Sequence, residues 1–133
     1  MKIFVSGKVG QEIDSRTLMD LLRSRGHEVT FDWTTISHLR PYEDNRASAQ
    51  EAAVLEIEGV KAADLLIVLA HEKGVGLYVE LGAALALATP VIVRSLEPAR
   101  SMFFFHPLVT IVRTDNDLLR EVDKRSTSRT ESA

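Results

Sequence analysis

The chain has no cysteine, which excludes disulfides and thiolate chemistry and suits a reducing cytoplasm, the expected location. Its four histidines, His27, His38, His71 and His106, show no metal-ligand spacing and read as structural or surface residues, so neither metal nor cofactor is expected. No apolar stretch runs unbroken for the roughly 18 residues that a membrane span requires. Glu80, Thr89 and Pro90 interrupt the longest one, and the chain opens on a strand-like MKIFVSG instead of an export signal, so no membrane partner is expected. A large net charge is also missing. A formal charge of −3 and a pI near 5.8 give no general attraction to nucleic acid, and no local basic patch is visible. There are no internal repeats or low-complexity linkers, and 133 residues at 45% hydrophobic and 26% charged fit one globular domain.

What is there is an alternation of short apolar runs with helical patterns, the pattern of βαβ units around a mostly parallel sheet. Strands are expected at 2–6, 27–31, 64–69, 91–93 and 109–112. Helices are expected at about 14–25, 47–62, 76–88 and 115–124. This defines a three-layer α/β fold, flavodoxin-like or Rossmann-like, with five strands and helices on both faces over residues 1–124. The remainder, RSTSRTESA (125–133), has no large apolar residue to dock and is expected to be disordered.

From Gly74 to Val93 the chain reads GVGLYVELGAALALATPVIV, with one charge in it, Glu80. A carboxylate in an apolar segment costs several kcal/mol to desolvate unless something pairs, binds or protonates it. Its helical neighbours Gly76, Leu77, Ala83 and Ala84 offer no charge, so the partner comes from elsewhere or is a ligand. In such sheets ligands lie beyond the carboxyl ends of the strands. Glu80, near the start of its helix, faces that edge, where the helix dipole is expected to favour its ionised form. Glu56, flanked at helical spacing by Ala52, Ala53, Gly59 and Val60, is a second acid on an apolar stripe. Two inward carboxylates suit glycosyl transfer, in which one attacks the anomeric carbon and the other handles a proton. Asp64 falls at the opposite, amino end of its strand and reads as a helix terminator.

Residues 59–93 (GVKAADLLIVL, then GVGLYVELGAALA and PVIV) resemble the nucleoside 2-deoxyribosyltransferase family, including its deoxynucleoside 5′-monophosphate N-glycosidase branch. The most specific part is the G-x-G-x-x-x-E-L-G-x-A segment. The resemblance implies that Glu80 is the nucleophile forming a glycosyl-enzyme intermediate. It also implies that Glu56, where the family usually has aspartate, assists proton transfer or sugar positioning. The family's first-strand tyrosine, which orients the nucleophile, is matched by Phe4, and an aspartate that contacts the base is matched by Gly74. Both departures bear on catalysis, the second more on base exchange than on hydrolysis.

The turn Ser6, Gly7, Lys8, Val9, Gly10 sets backbone N–H groups and a lysine at a helix entrance, a natural phosphate site. Gly76 at the next helix start adds an N–H donor, and the expected ligand is 5′-phosphorylated. Trp33, His38 and Tyr42 in the long loop after the second strand are candidates to stack on a base. Ser101 to Pro107 (SMFFFHP) holds three consecutive phenylalanines that cannot all face inward. Exposed aromatics of this kind often mark an interface. The family resemblance also implies assembly, so a homo-oligomer, dimer or higher, is expected. The expected activity is N-glycosyl hydrolysis or transfer on a nucleoside or nucleoside 5′-monophosphate. A non-catalytic nucleotide-binding or signalling module of the same fold, and an NAD glycohydrolase, stay open beside it.

Overall fold

A computed structural model describes residues 1–36 and 39–132. His38, a stacking candidate, lies outside them. Five strands, β1 (Lys2–Ser6), β2 (Glu28–Val29), β3 (Leu65–Leu69), β4 (Val91–Arg94) and β5 (Val109–Val112), form one sheet in the order β2-β1-β3-β4-β5. Every pairing is parallel. All five residues of β3, LLIVL, are buried, as a strand covered by helices on both sides must be.

Four helices cover the sheet: α1 (Glu12–Ser24), α2 (Arg46–Ala62), α3 (Gly76–Ala86) and α4 (Asp115–Ser132). α1 and α4 share one face, where Arg25, just past α1, pairs with Asp123 of α4 at 2.6 Å. α2 and α3 pack on each other across the opposite face. α1 contributes Leu18, Met19 and Leu22 to the core, and α4 contributes Leu118 and Val122. α2 approaches the sheet at Gly59, where a Cβ would lie 2.9 Å from both Phe31 and Phe4, so a side chain there has no room. Phe4 therefore points toward the α2/α3 layer. By the two-residue period of a strand, Ser6 does too.

Two expectations are corrected here. β2 keeps only two residues of the expected 27–31, as a short edge strand. The segment expected to be a disordered tail instead continues α4 to Ser132. Polar contacts hold it where apolar ones are lacking: Arg125 donates to Glu121 and to Thr110 Oγ1, and Arg129 reaches Asp64 at 3.0 Å. No helix among the described residues is long and apolar enough to cross a membrane.

Candidate active site

β1 and β3 are neighbours at the centre of the sheet, and the chain leaves them in opposite directions, toward β2 and toward β4. The crevice beyond their carboxyl ends is the topological switch point, where such sheets receive ligands. Ser6 ends β1 at that point. α3 buries Leu77, Leu81 and Ala84 against the sheet, and Glu80 falls on the same stripe, so the helix cannot bury its leucines without burying the acid. Glu80 is 7% exposed, and Ser6 Oγ donates to its Oε2 at 2.6 Å. Among the described residues no cation pairs with it.

Burial pushes the Glu80 carboxyl up to about 8; the Ser6 hydrogen bond opposes the rise and the charge of Glu56 adds to it. This corrects the expectation that the helix dipole would keep the acid ionised. Glu80 stands one turn inside α3, where the dipole's influence has faded, and desolvation dominates. Glu56 belongs to α2 beside the buried Ala52, Gly59 and Val60. It is half-buried, and desolvation raises its carboxyl as well. Two acids from adjacent helices thus sit close enough for the charge of Glu56 to raise the Glu80 carboxyl, and among the described residues neither forms an ion pair with a cation.

Glu56 lines a cleft of about 270 Å³ with Val9, Glu12, Trp33, Arg40 and Tyr42. That is near the lower end of the roughly 300–1,000 Å³ typical of small-molecule sites. Trp33 is buried and fixed, with its Nε1 donating to the Val5 carbonyl at 2.8 Å, so it serves as a wall and not as a mobile stacking group. Arg40 lies 5.6 Å over the Tyr42 ring. Glu80 is not part of the cleft wall.

The other expected binding residues have mixed placements. Gly7 is wedged beside the sheet's end, where a Cβ would strike the buried Ser15 hydroxyl and lie 3.2 Å from Trp33. Among the described residues that hydroxyl has no hydrogen-bond partner, and the backbone at Gly7 covers it. Lys8 accepts from the Gln11 N–H in a tight turn, and its ammonium folds back toward Gly10, whose φ of 103° requires a glycine. Gly74 is buried against Leu77, and its N–H is spent on the His71 carbonyl. Gly76 opens α3 with free space on its Cβ side. So the structure gathers Ser6, Glu80, Glu56, Trp33 and Val9 around the end of β1, while Gly7, Lys8, Gly74 and Gly76 do not line the cleft. Glu12 was missed by the sequence reading. The available signal was an acid directly after a glycine turn at a helix entrance. Asp64 accepts from the Lys2 N–H at the far end of the sheet, away from this site.

A second cleft, about 170 Å³, lies beyond β3 and β4 and includes His71, Arg94, Arg100 and Phe104. Asp14 and Asp115 engage Arg94, and Glu72 and Glu97 engage Arg100, so its cations are already neutralised.

No family model and no curated protein matches the chain. Solved structures share its fold. The CMP N-glycosidase BcmB of Clostridium botulinum superposes with a TM-score of 0.61 at 18% identity, over 92% of this chain and 99% of that one. A 2-deoxyribosyltransferase from the psychrotolerant bacterium Bacillus psychrosaccharolyticus gives 0.67 at 20% identity, over 89% and 90%. The architecture is therefore that of a glycosidase and a transferase whose names place them in nucleoside and nucleotide chemistry.

Proposed function

We propose that the chain belongs with the nucleoside deoxyribosyltransferase-like enzymes and breaks the N-glycosidic bond of a nucleoside or nucleoside 5′-monophosphate, working as a homo-oligomer in the cytoplasm. The observation that carries this is the pair of unneutralised acids, Glu80 and Glu56, at the switch point of a sheet shared with a glycosidase and a transferase. In this reading Glu80, as the carboxylate, attacks C1′ and the C1′–N bond breaks. The base leaves with the bonding electrons and takes a proton from a water that the Glu56 carboxylate positions. Water or a second base then attacks C1′ and frees Glu80. Ser6 fills the orienting role that the family gives to a first-strand tyrosine: Phe4 has no hydroxyl, and the Ser6 hydroxyl donates to the nucleophile instead. Val9 and Trp33 wall the neighbouring cleft, and Gly7, Lys8, Gly74 and Gly76 belong to the turns beside Ser6 and ahead of Glu80.

Self-association uses the outer surface of the α2/α3 layer. Val54, Leu55, Val75, Val79 and Leu87 are exposed there, and no exposed position of α3 carries a charge. Met102, Phe103 and Phe105 are exposed nearby, joined to α3 by the stacking of buried Phe104 on Tyr78. A clean monomer by sedimentation at high micromolar concentration removes this part.

The test of activity is chromatography of nucleosides, nucleotides and NAD after incubation. Free base is expected with the native protein and not with Glu80→Gln. A second reading, a binding module that cleaves nothing, is favoured by the position of Glu80 outside the cleft wall. Ligand-induced thermal stabilisation with no base released would select it, and release of nicotinamide from NAD alone would redirect the substrate.

A further inference from the structure

Backbone carbonyls on the β2 side of β1 follow one another at a spacing of two: Met1 accepts from the Glu28 N–H and Ile3 from the Thr30 N–H, each at 3.0 Å. The Val5 carbonyl is next in that row. By then β2 has ended at Val29, and the chain enters a single 3-10 turn, Trp33–Thr35, whose indole Nε1 donates to the Val5 carbonyl at 2.8 Å. A side chain thus completes a ladder that the short strand leaves open. The turn is itself anchored, because the Asp32 carboxylate accepts from the Thr34 N–H at 3.0 Å and Arg16 of α1 donates to the Thr34 carbonyl at 3.1 Å.

The Val5 carbonyl and the Ser6 N–H share one planar peptide unit, so the indole bond fixes the plane from which Ser6 departs. On the other side of Ser6 the same ring covers Gly7, with Cζ2 3.2 Å from where a Cβ would stand. One ring braces both neighbours of the residue whose hydroxyl holds Glu80 at 2.6 Å. Ser6 is the last residue of β1, where a strand without such a brace frays. The ring is also a wall of the cleft that Glu56 lines.

Resting on the glycosidase reading above, we infer that Trp33 is a positioning residue: through the backbone of Val5 and Gly7 it keeps the Ser6 hydroxyl on the Glu80 carboxyl and so ties the cleft wall to the nucleophile. Two changes remove its N–H. Trp33→Phe shortens the ring, whereas replacing this residue, the only tryptophan of the chain, by 3-benzothienylalanine keeps the bicyclic shape and carries no donor. Both are made in the wild type and in Ser6→Ala, with thermal unfolding as the check on the fold.

The first readout needs no substrate. With glutamate labelled at the carboxyl carbon, the NMR titration of Glu80 is assigned by its absence from Glu80→Gln. The Ser6 hydrogen bond lowers the Glu80 pKa against desolvation and the charge of Glu56. Ser6→Ala should therefore move the midpoint to higher pH, and each change at Trp33 should move it the same way by about half as much or more. In Ser6→Ala a change at Trp33 should move it no further. The second readout is kcat for base release, expected to fall about tenfold with either Trp33 change in wild type and by less than about threefold in Ser6→Ala. A Glu80 midpoint unmoved by both changes, or a kcat loss that recurs in full in Ser6→Ala, overturns the positioning role and leaves the glycosidase reading standing. Absence of base release from every nucleoside and nucleotide removes the glycosidase reading, and the Glu80 titration then decides the role of Trp33 by itself.

Discussion

On the α1/α4 side of the sheet, acids stand in water beside arginines: Asp123 with Arg25, Asp14 and Asp115 with Arg94, Asp117 with Arg120. On the α2/α3 side, Glu80 is 7% exposed with a serine as its partner, and Glu56 has only desolvation acting on it. The helices are of similar kind and cover the same sheet, so the contrast isolates what charge is for. An exposed pair is worth ~0–1 kcal/mol and can be lost without consequence. An acid held out of water without a cation destabilises the fold it sits in, and its retention asks for a use elsewhere.

The largest expected effect comes from the most buried acid. Glu80→Gln should lower base release by about 10³-fold or more while making the protein more stable, because it removes a buried ionisable group. The sign follows from the raised pKa. The folded state holds the Glu80 proton more tightly than the unfolded chain, so that stabilisation is complete below about 4.5 and is lost as pH rises through about 8. The stability advantage of Glu80→Gln over wild type, followed by denaturant titration at several pH values, should therefore grow across that window toward roughly 3–5 kcal/mol. Base release should rise over the same range as the nucleophile ionises. A flat difference between pH 5 and 9 would place Glu80 in water and collapse the contrast between the two layers.

Glu56→Gln should come next, with a loss of about 10²-fold in kcat and little change in stability. Activity close to wild type would leave Glu80 as the sole acid of the site. Gly59→Ala tests the packing that sets both acids in position. Its methyl meets Phe4 and Phe31, and calorimetry should show about 1–3 kcal/mol lost. The smallest effect belongs to the charged face: Asp123→Asn should cost below about 1 kcal/mol and leave base release unchanged. A larger penalty there would mean that the surface pairs do more than the comparison allows.

The sheet and its switch point were legible because continuous apolar runs such as Leu65–Leu69 and the amphipathic stripe of α1 carry the two periods that define strands and helices. Glu80 was legible because one charge in an oily helix has no local explanation. Its protonation was not, since that depends on how completely α2 and β1 wrap it, a tertiary matter that composition does not record. The end of α4 was misjudged for a related reason: Arg125 and Arg129 dock it through long side chains and hydrogen bonds, which apolar periodicity does not count. Trp33 and Gly74 reached their roles through contacts with Val5 and Leu77, partners assigned only once the chain had folded.

Intact-protein mass spectrometry on enzyme quenched during turnover of a 2′-deoxynucleoside addresses the central claim most directly. A mass increase of one deoxyribosyl group, mapped to Glu80 after digestion and absent from Glu80→Gln, is the expected result. Release of base at equal rates by wild type and Glu80→Gln, with no sugar adduct on either, would contradict it.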